Sequence, residues 1–226
     1  PALFFNGPDD YKRLVERDDI DFVYTATPWP YHTPVALAAM RAGKHAASEV
    51  PIASSVEDCW ELAETSEKTR KHCLMMENCC YGNSELTVLR MVREGVFGTL
   101  LHGEAAYLHD LREILFEDRD EGLWRRIPHT KRNANFYPTH GLGPVAQYMS
   151  LARTEDTFGR LVSFSSLARA RALYAKANFP PDHKWNQATF RAGDINTSIV
   201  TTALGRTIVV QWDENSPRPY SRHNLI

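Results

Sequence analysis

The sequence predicts an α/β protein: a partial doubly wound parallel sheet over residues 1–81, then an α+β domain with a mixed or antiparallel sheet over residues 82–226. Three observations carry this expectation. Short apolar strands alternate with helical patterns as far as residue 80, the rhythm of parallel strands joined by crossover helices. That rhythm stops at Tyr81-Gly82. Beyond it, two strand-like runs flank Leu204-Gly205-Arg206, which reads as a hairpin turn.

The elements follow in order. Pro8-Asp9-Asp10-Tyr11 opens a short helix through Arg17, with Asp9 or Asp10 as its cap and Leu14 and Val15 facing inward. Phe22 to Ala26 is an apolar strand, broken by Thr27-Pro28-Trp29-Pro30. Thr33 to Gly43 reads as a helix that Gly43 stops. Lys44 to Ser48 is the next strand, and Ser54 three residues before Glu57 fits a capping box for the helix that follows. His72 to Glu77 is a third strand, and Asn83 to Glu94 a helix ended by Gly95. Leu100 to Tyr107 is a strand, residues 110–135 read as polar and irregular, and a helix runs from near Gly141 to Leu151. Leu161 to Ser165 is a strand, Asn196 to Leu204 and Arg206 to Trp212 form the hairpin, and Ser221 to Ile226 is an interrupted strand or loop.

Bulk properties narrow the function. With 226 residues, 43% of them hydrophobic and 24% charged, the composition is that of an ordinary globular protein. A net charge of −2 gives no electrostatic case for nucleic acid or an anionic membrane, and no apolar run approaches a membrane span. Cys59, Cys73, Cys79 and Cys80 have neither a disulfide framework nor zinc spacing, so no metal is expected, and the Cys79-Cys80 pair reads as two semi-buried thiols.

In doubly wound sheets, ligands bind outside the carboxyl ends of the strands. Three segments lie at such ends: Thr27 to His32, Glu49-Val50-Pro51, and Glu77-Asn78. Trp29 and His32 offer flat faces to a ring or ribose, and Glu49 and Asn78 offer hydrogen bonds. Any one of these segments is explained as well by turn chemistry; together they favour a ligand crevice. No Gly-x-Gly-x-x-Gly follows a strand, so a dinucleotide would need a phosphate-binding loop encoded before Pro1.

Asn135-Phe136-Tyr137-Pro138-Thr139-His140-Gly141 is the most informative stretch. It places a phenol and an imidazole three residues apart at a helix start, with Pro138 stiffening the backbone between them. Imidazole exchanges protons near neutral pH, and a phenol can act as a base where cations favour its charged form. Asn133, Asn135, Thr139 and Gly141 add polar or permissive neighbours. Tyr107 and His109 lie two apart and share a face in extended chain, although a lone Tyr or His at a strand end is more often structural. Trp124-Arg125-Arg126 is either a solvated basic turn or a sugar contact, with Trp124 stacking and Arg125 anchoring oxygens. Tyr220 and Arg222, in a proline-stiffened segment, are within reach of a site, and a rigid surface loop explains them equally.

Three of these motifs resemble the family of glucose-fructose oxidoreductase, inositol dehydrogenase and rhizopine catabolism proteins: Thr27-Pro28-Trp29 through His32, Lys44-His45 to Pro51, and Met76 to Gly82. More narrowly, Trp124-Arg125-Arg126, the block from Tyr137 to Tyr148, and Ser216 to Arg222 resemble family 109 glycoside hydrolases, NAD-dependent α-N-acetylgalactosaminidases. The resemblance implies that residues 1–81 are the C-terminal part of a Rossmann domain and that residues 82–226 begin a substrate domain continuing past Ile226. It implies NAD as a cofactor used and regenerated in each turnover. The sugar is oxidised at C3, its C2 proton is removed, the glycosidic oxygen is eliminated, water adds at C1 and the hydride returns, an exception to the two-carboxylate scheme.

Carried onto this sequence, the resemblance makes Trp29, Pro30, Tyr31, His32, Glu49, Val50, Asn78 and Tyr137 cofactor contacts. Tyr107, Arg125, Tyr137, Pro138, Thr139, His140 and Tyr220 become substrate contacts, with Glu77 and His109 beside them. His140 is the expected base at the C3 hydroxyl, and Tyr137 or Tyr107 handles the C2 proton. Two departures stand out. The wider family has Glu-Lys-Pro where this chain has Glu49-Val50-Pro51, and an aspartate where it has Phe136. Both weigh against a sugar or polyol dehydrogenase with net NAD(P) reduction, the alternative reading; a silent sugar-binding module is the third. The expected partner is a glycoside with a terminal N-acetylgalactosamine, and a homo-oligomer stays open. Relatives often reach the periplasm through a twin-arginine signal and are otherwise cytoplasmic. The 226-residue piece alone is expected to bind NAD poorly.

Overall fold

The computed structural model describes residues 3–4 and 6–226. Two compact units divide the chain, Pro1–Met76 and Glu77–Ile226.

The first unit is a three-stranded parallel sheet in the order β1 (Phe22–Thr25), β2 (His45–Ser48), β3 (Cys73–Met75), as the βαβ rhythm requires. Helices α1 (Tyr11–Val15), α2 (Trp29–Arg41) and α3 (Val56–Thr69) connect and cover it. Val15, Val23, Val35, Leu37, Met40 and Leu62 make the core. The opposite sheet face carries Phe22, Tyr24 and Leu74, each about half exposed.

Three local expectations shift. No side chain caps α1: Asp10 instead accepts from the Asn6 amide and from Arg13. Helix α2 starts at Trp29, not Thr33, because a proline in the first turn needs no N–H partner and Pro30 sits there with its φ already helical. Trp29 to His32 are therefore helical residues and not a crevice loop. The capping box slides by one residue: Ser55 Oγ accepts from the Asp58 amide at 3.0 Å, while Asp58 accepts from the Ser54 amide at 3.2 Å. Gly43 ends α2 as expected, at φ 78°.

The second unit opens with a 3₁₀ turn, Asn78–Cys80, and α4 (Asn83–Arg93). Its mixed sheet has the order β5-β6-β7-β4-β8. The strands are β4 (His102–Leu108), β5 (Phe158–Ser165), β6 (Ile195–Thr202), β7 (Thr207–Asp213) and β8 (Asn224–Leu225). β6 and β7 form the expected hairpin, with Gly205 at φ 86°, whereas β4 and β7 run parallel. The chain end is the short strand β8, paired antiparallel to β4.

Residues 110–135 are not irregular. They form α5 (Arg112–Phe116), a 3₁₀ turn at Asp120–Leu123 and α6 (Ile127–Lys131). These short helices lack the periodicity that marks a helix in sequence. Leu111, Leu115 and Phe116 nevertheless form a core with Ala175 of α8 (Ala170–Asn178), so tertiary burial holds α5. A last helix, α9 (Lys184–Gln187), follows α8; neither was anticipated.

Helix α7 (Thr139–Tyr148) positions the site. It begins two residues before Gly141, which puts His140 inside its first turn. A Cβ on Gly141 would stand 2.5 Å from the Ala106 amide nitrogen and 2.9 Å from the Ala106 carbonyl. Gly103 on β4 opens the matching space beneath Val145 and Met149. Small residues on both elements thus let α7 lie against the backbone of β4, and Val145, Met149, Ala105, Ile208 and Val210 close the core around that contact.

Candidate active site

Within the second unit, Tyr107, His109, Tyr137, His140 and Tyr220 form one aromatic cluster. Tyr107 and His109 do share a face of the chain: the hydroxyl and His109 Nδ1 are 2.8 Å apart. The Tyr107 ring lies 5.1 Å from Tyr137, 5.4 Å from His140 and 6.3 Å from Tyr220, and Tyr220 meets His109 edge-on at 4.6 Å. Tyr137 and His140 are 4.5 Å apart in a T-shaped contact. The Arg125 guanidinium stands 5.2 Å above the Tyr137 ring. Arg125 is 7% exposed and ion-paired to Glu121 at 2.5 Å, so it is a buried, paired guanidinium and not a solvated turn.

His140 is held from behind. Its Nδ1 lies 2.7 Å from Glu77 Oε1 and 3.2 Å from Cys79 Sγ. Glu77 precedes the 3₁₀ turn, and its Oε1 also accepts from the Cys79 amide at 3.0 Å. Burial pushes the Glu77 carboxyl up, but the His140 hydrogen bond and charge outweigh it and leave the group below its ordinary range. An ionised carboxylate only accepts, so Nδ1 is assigned the hydrogen and the lone pair falls on Nε2, which takes no hydrogen bond from the described residues. Cys79 and Cys80 are buried free thiols; burial, with Glu77 behind it, pushes Cys79 up to about 12. Arg222 Nη1 donates to Cys79 Sγ. Helix α7 comes this close because residue 143 is glycine, where a Cβ would meet Glu77 Cγ at 2.9 Å and Cys80 Sγ at 3.0 Å.

Burial first, and Glu214 second, push the Tyr107 phenol well above its ordinary value, although Arg125 pulls the other way. The expectation that neighbouring cations would free a base fails at Tyr107, because desolvation of the phenolate costs more than one guanidinium returns. Tyr107 is a donor. Burial and Arg125 also lower His109, keeping that imidazole neutral.

The polar neighbours of Tyr137 are structural. Asn135 accepts from the Tyr137 amide at 3.0 Å, and Asn133 accepts from the Gly193 amide at 2.9 Å. Pro138 precedes α7 and Thr139 is its first residue, both half-buried. Beneath the cluster lies Glu214, completely buried, 3.3 Å from His129 Nε2. Burial raises its carboxyl, yet His129, Arg125 and Arg171 together hold it below the ordinary value. Sequence reading missed Glu77's pairing with His140, the Arg222–Cys79 contact and this inner carboxylate. Only the polar run Asp213-Glu214-Asn215 behind an apolar strand could have signalled the last.

In the first unit, His32 is 1% exposed and its ring nitrogens lie 2.7 Å from the Thr27 and Pro51 carbonyls. It braces the loops after β1 and β2, which corrects the expectation of a flat face offered to a ligand. Glu49, at the end of β2, accepts from the Tyr24 hydroxyl. Trp29 and Val50 are buried, Tyr31 is half-buried, and Pro30 is exposed. Asn78, in the second unit, is exposed.

Comparison with known proteins places this geometry. Residues 81–226 match the family described as glycosyl hydrolase 109, C-terminal domain, and residues 5–77 match the oxidoreductase family with an NAD-binding Rossmann fold. Over its whole length the chain is 57% identical to glycosyl hydrolase family 109 protein 1 of Akkermansia muciniphila, covering 47% of that protein. It is equally similar, at 57%, to a family 109 protein of Shewanella baltica, covering 49% of it. The chain therefore spans about half the length of the curated relatives it matches. In fold it is similar to an inositol dehydrogenase homolog from Azotobacter vinelandii solved with NAD+ (TM-score 0.69, 16% identity, 95% of this chain and 51% of that one). A similar likeness holds to apo scyllo-inositol dehydrogenase from Lactobacillus casei (TM-score 0.69, 14% identity, 96% and 56%).

Proposed function

The chain belongs to glycosyl hydrolase family 109, and from that premise we propose that it hydrolyses α-N-acetylgalactosaminides with NAD as a recycled cofactor. The observation that carries the reading is the buried Glu77–His140 pair, which leaves an imidazole lone pair beside two tyrosines and an arginine.

The residues present fit part of a dinucleotide site. The carboxyl ends of β1 and β2 are braced by His32, a carboxylate suited to a ribose hydroxyl stands at Glu49, and Pro30 and Asn78 are exposed. Trp29, Tyr31, Val50 and Tyr137 complete the proposed cofactor contacts. Bound there, NAD would supply a hydride acceptor for the sugar's C3 and, the hydride being returned within the turnover, would leave no net redox change.

The chain's own residues do the rest. His140 Nε2 takes the proton of the C3 hydroxyl while Glu77 steadies the charge that develops on the ring. Tyr137, whose ring the Arg125 guanidinium faces at 5.2 Å, takes the C2 proton. Tyr107 is the donor of the pair and holds a sugar oxygen, with His109 fixing its hydroxyl. Arg125, Pro138, Thr139 and Tyr220 complete the sugar contacts. In this division, residues 1–81 serve the cofactor, apart from Glu77 behind His140, and residues 82–226 the sugar, with Tyr137 serving both.

A dehydrogenase with net NAD reduction is the weaker reading. Where the wider family has a catalytic lysine this chain has Val50, apolar and 2% exposed. Incubating the full-length protein with p-nitrophenyl α-N-acetylgalactosaminide distinguishes the two. Phenolate release without a growing NADH band is expected; NADH accumulation without phenolate would establish the dehydrogenase instead.

A further inference from the structure

Glu77, Cys79 and His140 have a second chemistry. Their carboxylate oxygen, sulfur and ring nitrogen all lie within 4.8 Å of one another, and all three residues are buried. The 3₁₀ turn fixes the first two, since the Cys79 amide is bonded to Glu77 Oε1, and the first turn of α7 fixes the third. We propose that these residues form a binding site for a borderline-soft divalent cation of the Zn2+ type, and that the cation switches the enzyme off by occupying His140 Nδ1.

The donor set selects the ion. A thiolate, an imidazole and one carboxylate suit Zn2+ or Co2+, whereas Mg2+ and Ca2+ require oxygen ligands. Three protein ligands leave a fourth tetrahedral position for water. In tetrahedral zinc, neighbouring donor atoms are roughly 3.3 to 3.7 Å apart, as metal–ligand lengths of about 2.0 to 2.3 Å dictate. The Nδ1–Oε1 and Nδ1–Sγ separations of 2.7 and 3.2 Å must therefore widen by about half an ångström, within reach of side-chain rotation.

Charge also balances. Binding expels the Cys79 thiol proton to solvent, so thiolate and carboxylate together neutralise the cation. Arg222 can remain, because a metal-bound thiolate still accepts its N–H. The Nδ1 hydrogen of His140 leaves as the metal arrives, and a hydrogen taken from water settles on Nε2, so one proton is released in all. The imidazole stays neutral, but the lone pair that takes the C3 hydroxyl proton is gone. This inhibitory arm rests on the function proposed above; the binding arm does not.

The test titrates Co2+ into the NAD-loaded full-length protein and follows its absorption. One equivalent is expected to produce the intense visible bands of four-coordinate cobalt with a near-ultraviolet thiolate charge-transfer band, and Zn2+ should displace it. Cys79→Ser should abolish the charge-transfer band, Glu77→Gln should weaken binding about tenfold or more, and Cys59→Ser, at an exposed thiol, should change nothing. A pale six-coordinate spectrum, or a charge-transfer band that survives in Cys79→Ser, overturns the site. Zn2+ should block p-nitrophenyl glycoside cleavage over the same concentrations, reversibly with EDTA, and the residual activity of Cys79→Ser should be insensitive to it. Stoichiometric binding with undisturbed cleavage would keep the site but remove His140 as the base. Absence of binding would remove the site and leave the function untouched.

Discussion

Replacing His140 by alanine in the full-length protein should lower kcat for glycoside cleavage roughly 100- to 10,000-fold, the range for loss of a general base. The imidazole supplies the Nε2 lone pair beside the Tyr137 and Tyr107 rings. His109 is already tied to the Tyr107 hydroxyl. The variant also takes from Glu77, 5% exposed, its imidazole donor while the Cys79 amide stays, and losing a hydrogen bond to a charged group costs about 1.5–3 kcal/mol. Melting temperature and NAD affinity should be measured beside the rate. A fall in kcat with both retained separates chemistry from folding. Glu77→Gln is the partner variant: an amide can donate to Nδ1 as well as accept from it, so it no longer dictates which ring nitrogen carries the hydrogen. Its kcat should fall more than its KM rises. Undiminished cleavage by His140→Ala would end the assignment.

Gly141→Ala should be the most damaging small substitution in the second unit. The added carbon meets backbone atoms of Ala105 and Ala106 at 2.5 to 3.0 Å, on a strand paired on both sides by β7 and β8, so nothing there can swing away. Relief requires lifting α7 off the sheet and opening the core around Val145 and Met149. Overpacking of this kind costs roughly 1–3 kcal/mol, and each kcal/mol lowers the melting temperature by about 2–4 °C in a domain of this size. The comparison is Gly143→Ala, whose added carbon has the side chains of Glu77 and Cys80 as its nearest neighbours. It should melt nearer the wild type yet lose more activity than stability, because Glu77 must move from beneath His140. Equal melting temperatures for Gly141→Ala and wild type, measured by calorimetry, would show that α7 is not clamped to β4 in this way.

What the sequence disclosed depends on the range of the interaction. Signals within one element were readable: the βαβ rhythm, Gly43 and Gly205 at their turns, and the two-residue spacing that puts Tyr107 beside His109. Short helices were not, because α5 and α6 have five residues each and stand on the burial of Leu111, Leu115 and Phe116, which no local periodicity announces. Proline misled at α2: read as a breaker, Pro30 is a helix starter. The site followed the same rule. Tyr137 and His140 were legible from the motif, whereas Glu77 is 63 residues from His140 and Arg222 is 143 from Cys79, so only the folded chain reveals either contact. Phe136 packs on His129 and Trp212 over the inner carboxylate of Glu214.

The measurement that bears most directly on the mechanism is the isotope content of the released sugar. When the full-length protein cleaves an α-N-acetylgalactosaminide in D2O, removal of the C2 proton by a residue that exchanges with solvent should leave N-acetylgalactosamine with one deuterium on C2, seen by mass spectrometry and NMR. A product that keeps its original hydrogen at C2 would mean that the bond breaks without oxidation at C3, and that His140 and Tyr137 do not do the work assigned to them.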